Sequence, residues 1–468
     1  MRIAILRFAF IALLPTLCFS QDPSQQNGIT RRINEYLNRA TESGLFSGTV
    51  AVAKDGKILF SRGYGMADLA YDVSNAPETR FDIGSVSKTF TAALVLRLQD
   101  TGKLRLDDPI CKYLDNCAEA WHPITIRHLL THTSGLLNYT ELPDYFEKRA
   151  LESFLPNAME RIRSMPLQFP PGDRFAYSNT GYKLLHEIVQ KVSGQAYEDF
   201  LRSTILDVLG MKNTGFLENP NIRHAIVKNL ATGYTDGVGP LELAPWAHAN
   251  SGGGMYSTPE DMCLWAQALL AGKLLSAQSL ADTFRPGRGD YGLGWFVFKN
   301  GKHPFATHSG NIPGYGVTLV LYFDEKLSIF VASNLDTAPT NRIQDDIAKI
   351  IFGESYQLPP VWRAVAVDHK IYDGYAGRYR KTDQPNFVIT IKKENGQLWN
   401  RLGDDPGAAE MVLRPLSETR FFNKMFVLYE VTFVLGEEGR ATRLIADGPW
   451  GRGEFVRIDQ PSNAGEQK

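Results

Sequence analysis

Gly84-Ser85-Val86-Ser87-Lys88 opens a segment with helical apolar spacing, Phe90, Ala93, Leu94, Leu96 and Leu98, and a suitable stop at Gly102. At a helix start, Ser85 and Lys88 lie one turn apart and share a face. A serine hydroxyl is a poor nucleophile until a base takes its proton. The helix N-terminus and burial both disfavour an ammonium, so Lys88 can shed its charge and act as base or proton relay. Composition alone yields roughly one or two Ser-x-x-Lys matches in a chain of this length. The pair decides nothing alone.

A second element lies in Phe175-Ala176-Tyr177-Ser178-Asn179-Thr180-Gly181-Tyr182. A tyrosine facing a lysine ammonium can have its pKa lowered and trade a proton with Ser85. The Asn179 amide, two residues on, can hold both Lys88 and a substrate carbonyl. The same Tyr-x-Asn pattern occurs at Tyr36-Leu37-Asn38, where it reads as helix surface. A third element is His308-Ser309-Gly310 with Asn311 after it, leading towards the apolar run Val317–Tyr322. Gly310 lets substrate lie close against a strand edge. The N–H groups of Ser85 and Asn311 would make an oxyanion hole.

The three elements occur in order at a helix start, an inter-helix loop and a strand edge. Leu130-Thr131-His132-Thr133-Ser134-Gly135-Leu136 lies between the first two. This set resembles the serine β-lactamase and penicillin-binding-protein superfamily over about residues 30–352, nearest the branch of class C β-lactamases, DD-carboxypeptidases, D-aminopeptidases and related esterases. The resemblance implies that Ser85 is acylated, Lys88 holds the proton network, and Tyr177 is general base and then acid. It also implies that Asn179, His308, Ser309, Gly310 and Asn311 bind substrate. His308 stands where other members carry the lysine of Lys-Thr-Gly. A lysine is always charged and suits a carboxylate, whereas a histidine is charged only part of the time near neutral pH. That departure disfavours β-lactamase action and favours D-peptides, D-amides or esters. The alternative is a β-lactamase, or a penicillin-binding or sensor protein with the same site and slow deacylation. Ser251-Gly252-Gly253-Gly254 resembles the family's site-lining segment. No metal or organic cofactor is required.

Outward from the motifs, residues 29–41 read as an amphipathic helix, and Gly48–Ala53 with Lys57–Ser61 flank an Asp55-Gly56 hairpin turn. Residues 124–132 and 181–193 read as helices, Trp295–Phe298, Val317–Tyr322 and Leu327–Ala332 as strands, and Ile343–Phe352 as a closing helix. Strands at both ends with helices between predict an α+β fold: a sandwich with a mostly antiparallel sheet and an inserted helical region. At 468 residues two folded units are expected. Residues 21–354 form the first, 355–370 a linker around Leu358-Pro359-Pro360, and 371–468 a β-rich second unit, barrel-like in pattern. It resembles the lipocalin-like barrels appended to some family members.

Arg2 and Arg7, the apolar run Phe8–Leu14 and Cys18-Phe19-Ser20 read as a secretory signal over residues 1–20, which predicts an exported, periplasmic or secreted protein. The run is too short to span a bilayer comfortably. A formal charge of −1 with no basic run gives no sign of nucleic acid as a partner; the expected partner is a small molecule or peptide. Export permits a bridge between Cys111 and Cys117, and two unpaired thiols fit equally well. Cys263 reads as core. His128 and His132, four apart, could face one way as metal ligands, but two residues do not complete a zinc shell and Leu129-Leu130 suggests a core helix. The Gly-x-Ser-x-Gly of α/β-hydrolases is absent.

Overall fold

The computed structural model describes residues 23–149, 151, 153–217, 227–235, 242–243, 254–403, 410–423, 429–448 and 451–459. The predicted signal segment lies outside them. A six-stranded antiparallel sheet centres the first unit, in the order Phe296–Phe298, Phe305–Ile312, Tyr315–Tyr322, Leu327–Ser333, Gly48–Lys54, Lys57–Tyr64. Strands from the start of the unit thus pair with strands from its end, Val50 opposite Val331. The Asp55-Gly56 turn has both residues at positive φ, +49° and +77°, the conformation a two-residue hairpin requires.

Every residue of Tyr315–Tyr322 and Leu327–Ser333 is buried, because the sheet is covered on both faces. On one face lie the helices Pro23–Glu42 and Thr340–Phe352, whose Tyr36, Leu37, Ile343 and Ile347 pack on Val50, Ile329 and Val331. On the other lie Pro259–Leu270 and the helical region. The helix Ser87–Asp100 runs through that second core; only its last turn reaches water, and Phe90 stacks on Trp265 at 4.2 Å. Asn179–Ser193 is capped by Ser178 and ends on Gly194 at φ +72°. The predicted helix at 124–132 is shorter than expected, Ile126–Leu130. Cys111 and Cys117 form a disulfide, and Cys263 is free and buried.

The second unit is a closed barrel of eight antiparallel strands from Gly377–Lys381 to Gly451–Arg457. Its core holds Tyr379, Ile389, Leu398, Phe421, Phe433 and Phe455, together with Tyr375 from the short helix Tyr372–Tyr375, stacked on Phe433. Between the units the chain is held at intervals: Arg39 Nε donates to the Pro359 carbonyl at 3.2 Å, and Trp362 packs on Phe422. Among the described residues no helix is long and apolar enough to cross a membrane.

Candidate active site

The turn Gly84–Val86 joins the two-residue strand Phe81–Asp82 to the buried helix Ser87–Asp100. Gly84 has φ +49°, and the Asp82 carboxylate accepts its N–H at 2.8 Å. Burial pushes Asp82 up to about 7, opposed by hydrogen bonds from the Gly84 and Gly254 N–H groups. One carboxylate therefore ties the Ser85 turn to Gly254; Ser251, Gly252 and Gly253 lie outside the described residues.

Lys88 is fully buried, with Nζ 3.0 Å from Ser85 Oγ and donating to Asn179 Oδ1 at 2.8 Å. Burial lowers it to about 7. Asn179 is aimed by Asn138, whose Oδ1 accepts from the Asn179 backbone at 3.1 Å and from its Nδ2 at 3.3 Å. Tyr177 comes to the same point: its phenol hydrogen-bonds Ser85, and Lys88 Nζ lies 5.1 Å from its ring centroid. Its titration differs from expectation. A lysine neighbour should lower a phenol, but burial raises Tyr177 well above its ordinary value, and the Ser85 bond offsets this only in part. Desolvation of the phenol is the larger effect.

The third motif lies inside a strand that the sequence reading left unassigned, Phe305–Ile312. Its outer neighbour pairs only with Phe305, Ala306 and Thr307, so from His308 onward the strand offers an edge to the Ser85 turn. His308 is 1% exposed; its Nε2 lies 3.0 Å from the Tyr291 hydroxyl and its Nδ1 2.8 Å from the Ser309 carbonyl. Burial, reinforced by Lys88, pushes it down to about 3. The part-time charge expected of this histidine is therefore corrected to a neutral ring. The Ser309 hydroxyl turns away and donates to Asn341 Oδ1 at 2.8 Å. Gly310 is packed against the turn: a Cβ there would stand 2.2 Å from the Ile83 carbonyl oxygen and 3.0 Å from Ser85 N. A Cβ on Gly84 would in turn lie 3.4 Å from Asn311 N. The backbone of the Ser85 turn and that of Gly310–Asn311 thus lie directly against each other.

Sequence reasoning missed Asp82, Asn138 and Tyr291. An acid two residues before a glycine turn, and an asparagine just after Leu130–Leu136, were the available signals. His128 and His132 do separate work. His128 Nδ1 accepts from Thr125 N at 3.2 Å in a helix cap, while His132 packs at 4.2 Å from the Tyr177 ring.

An antiparallel sheet flanked by helices, with a Ser-x-x-Lys turn facing Tyr-x-Asn and a strand glycine, is the layout of the serine β-lactamase and penicillin-binding-protein superfamily. Residues 30–353 match the β-lactamase family, and the chain belongs to it. Residues 363–458 match a domain of unknown function, DUF3471. The chain is 31% identical over 431 residues to penicillin-binding protein 4* of Bacillus subtilis (strain 168), covering 85% of this chain and 92% of that one. Among solved structures, the D-amino acid amidase of Ochrobactrum anthropi SV3 superposes with TM-score 0.60 at 25% identity, covering 70% of this chain and 99% of that one. An octameric penicillin-binding protein homologue from Pyrococcus abyssi superposes with TM-score 0.63 at 22% identity, covering 92% and 99%, which speaks to the fold.

Proposed function

We propose that this chain is an exported serine acyl hydrolase that works through an acyl-enzyme on Ser85, on D-amino-acid peptides or amides and on esters. The observation that carries the reading is Lys88, buried, driven to about 7, and 3.0 Å from Ser85 Oγ. As a free amine it takes the Ser85 proton while the oxygen attacks the substrate carbonyl. The carbonyl oxygen gains charge between the Ser85 and Asn311 amides. Tyr177, kept a neutral phenol by burial, gives its proton to the departing amine or alcohol and recovers one from the Lys88 ammonium. Water then attacks the ester, the same groups act in reverse, and Ser85 leaves with a proton restored.

The third motif supports the substrate class. A neutral, buried His308 offers no fixed cation to a substrate carboxylate, so substrates whose recognised end is an amide or ester are favoured. The likeness to a D-amino acid amidase agrees with this. The likeness to a penicillin-binding protein favours a second reading, in which a penicillin acylates Ser85 and leaves slowly. Purified protein offered nitrocefin, D-Ala-D-Ala peptides, D-amino-acid amides and short 4-nitrophenyl esters separates the two. The first reading expects turnover of amides or esters; a penicillin label that persists on Ser85 without turnover of any of them supports the second.

A further inference from the structure

Tyr177 sits in no regular element. The helix before it ends at Arg163 and the one after begins at Asn179, so something else must hold its phenol on Ser85. The loop lies across the Leu130–Leu136 segment, which the reaction itself does not use. Gln168 N–H donates to the Gly135 carbonyl and Gly172 N–H to the Thr133 carbonyl, each at 2.8 Å. The approach is close enough that a Cβ on Gly135 would stand 2.1 Å from the Phe169 carbonyl oxygen. The last two bonds converge on one residue. Ala176 N–H donates to the His132 carbonyl at 2.9 Å, and Ser178 N–H donates to His132 Nδ1 at 3.1 Å. The residues on either side of Tyr177 are therefore both fastened to His132, whose ring lies 4.2 Å from the phenol ring, tilted 35°.

Two features set His132 apart from an ordinary core residue. Its φ is +54°, a left-handed value that histidine and asparagine adopt more readily than hydrocarbon residues do. Its Nε2 is buried without a hydrogen-bond partner. An unpaired buried polar group is destabilising, a cost that a hydrocarbon side chain would avoid. What a hydrocarbon lacks is the acceptor at Nδ1. We propose that His132 is the positioning residue for Tyr177: its carbonyl and Nδ1 clamp the chain on both sides of the phenol, and its ring backs the aromatic face. Burial, together with Lys88 and His308, keeps the ring far below its ordinary pKa, so Nδ1 stays an acceptor. The inference rests on the reading of Tyr177 as the acid–base group.

The test is a double-mutant cycle on the full chain, with 4-nitrophenyl acetate as probe and thermal unfolding to verify folding. Tyr177→Phe should lower kcat by at least about 100-fold. His132→Leu, which removes the acceptor, should lower kcat about 10- to 100-fold with KM little moved, as expected when a reacting group drifts by about 1 Å. His132→Asn puts an amide oxygen on the same γ position and tolerates positive φ, so it should stay within about threefold of wild type. The His132→Leu/Tyr177→Phe double variant should be no slower than Tyr177→Phe alone. Where the leucine chain does not fold, His132→Gln, whose amide lies one bond further out, takes its place. An unimpaired Tyr177→Phe would sink the reading of Tyr177 itself. With Tyr177→Phe impaired, losses that multiply in the double variant overturn the role of His132 alone. So does an unimpaired leucine variant, or an asparagine variant as slow as the leucine one.

Discussion

Adding one methyl group at Gly310 should cost more activity than stability. The Cβ of Gly310→Ala would stand 2.2 Å from the Ile83 carbonyl oxygen, where 3.4 Å begins ordinary contact, so strand and turn must part by about 1.2 Å. Both obstructing groups are backbone, Ile83 O and Ser85 N, and no side chain can swing aside. Overpacking of this kind costs about 1–3 kcal/mol of stability. The same displacement pulls the Asn311 amide away from the Ser85 amide. A donor moved by about 1 Å leaves hydrogen-bond range of a developing oxyanion, and loss of one such donor costs about 100- to 1000-fold in kcat. The assay is turnover of a 4-nitrophenyl ester by the alanine variant at a temperature where thermal unfolding shows it fully folded. A folded Gly310→Ala with wild-type kcat would refute the placement of the Asn311 amide in the reaction.

Further consequences follow from the buried charges and the third motif. Lys88 in the folded state titrates at about 7, below its ordinary 10.5, so between these values the unfolded chain binds the extra proton and stability rises with pH. Urea unfolding at pH 6 to 10 should show up to about 1.4 kcal/mol per pH unit from this group, absent in Lys88→Met. Activity of the wild type should rise as pH increases through about 7, where Lys88 becomes a free amine, and an activity indifferent to pH from 5.5 to 8.5 would remove Lys88 from the role of base. His308→Lys restores a cation at the strand edge; the ratio of kcat/KM for a D-Ala-D-Ala peptide over a neutral ester should rise by at least about tenfold, and an unchanged ratio would show that this position does not select substrate charge.

Much of the site was legible because its groups are set by short-range rules. A serine and a lysine one helical turn apart face together wherever the helix lies, and the burial of Lys88 followed from the apolar residues around it. Tyr177 was legible only through company: nothing in Phe175–Tyr182 distinguishes it from Tyr36-Leu37-Asn38, which is helix but not the helix surface expected, since Tyr36 and Leu37 are buried and the Tyr36 hydroxyl donates to Asp346. The titration of Tyr177 and His308 was misjudged because desolvation depends on packing that no local pattern reports. In the barrel, several strands carry no clean apolar face. Gly377–Lys381 buries Tyr379 and Lys381, and Gln397–Leu402 buries Leu398 and Asn400. A lysine or asparagine at an inward position erases the alternation on which strand reading relies.

The most direct measurement is intact-protein and peptide mass spectrometry during reaction with a slowly released acylating agent such as a penicillin or an activated ester. One acyl group should appear on the peptide containing Ser85, at full stoichiometry in wild type, at a rate cut by orders of magnitude in Lys88→Met and Tyr177→Phe, and never in Ser85→Ala. Label on another residue, or turnover of an ester by Ser85→Ala at the wild-type rate, would contradict it.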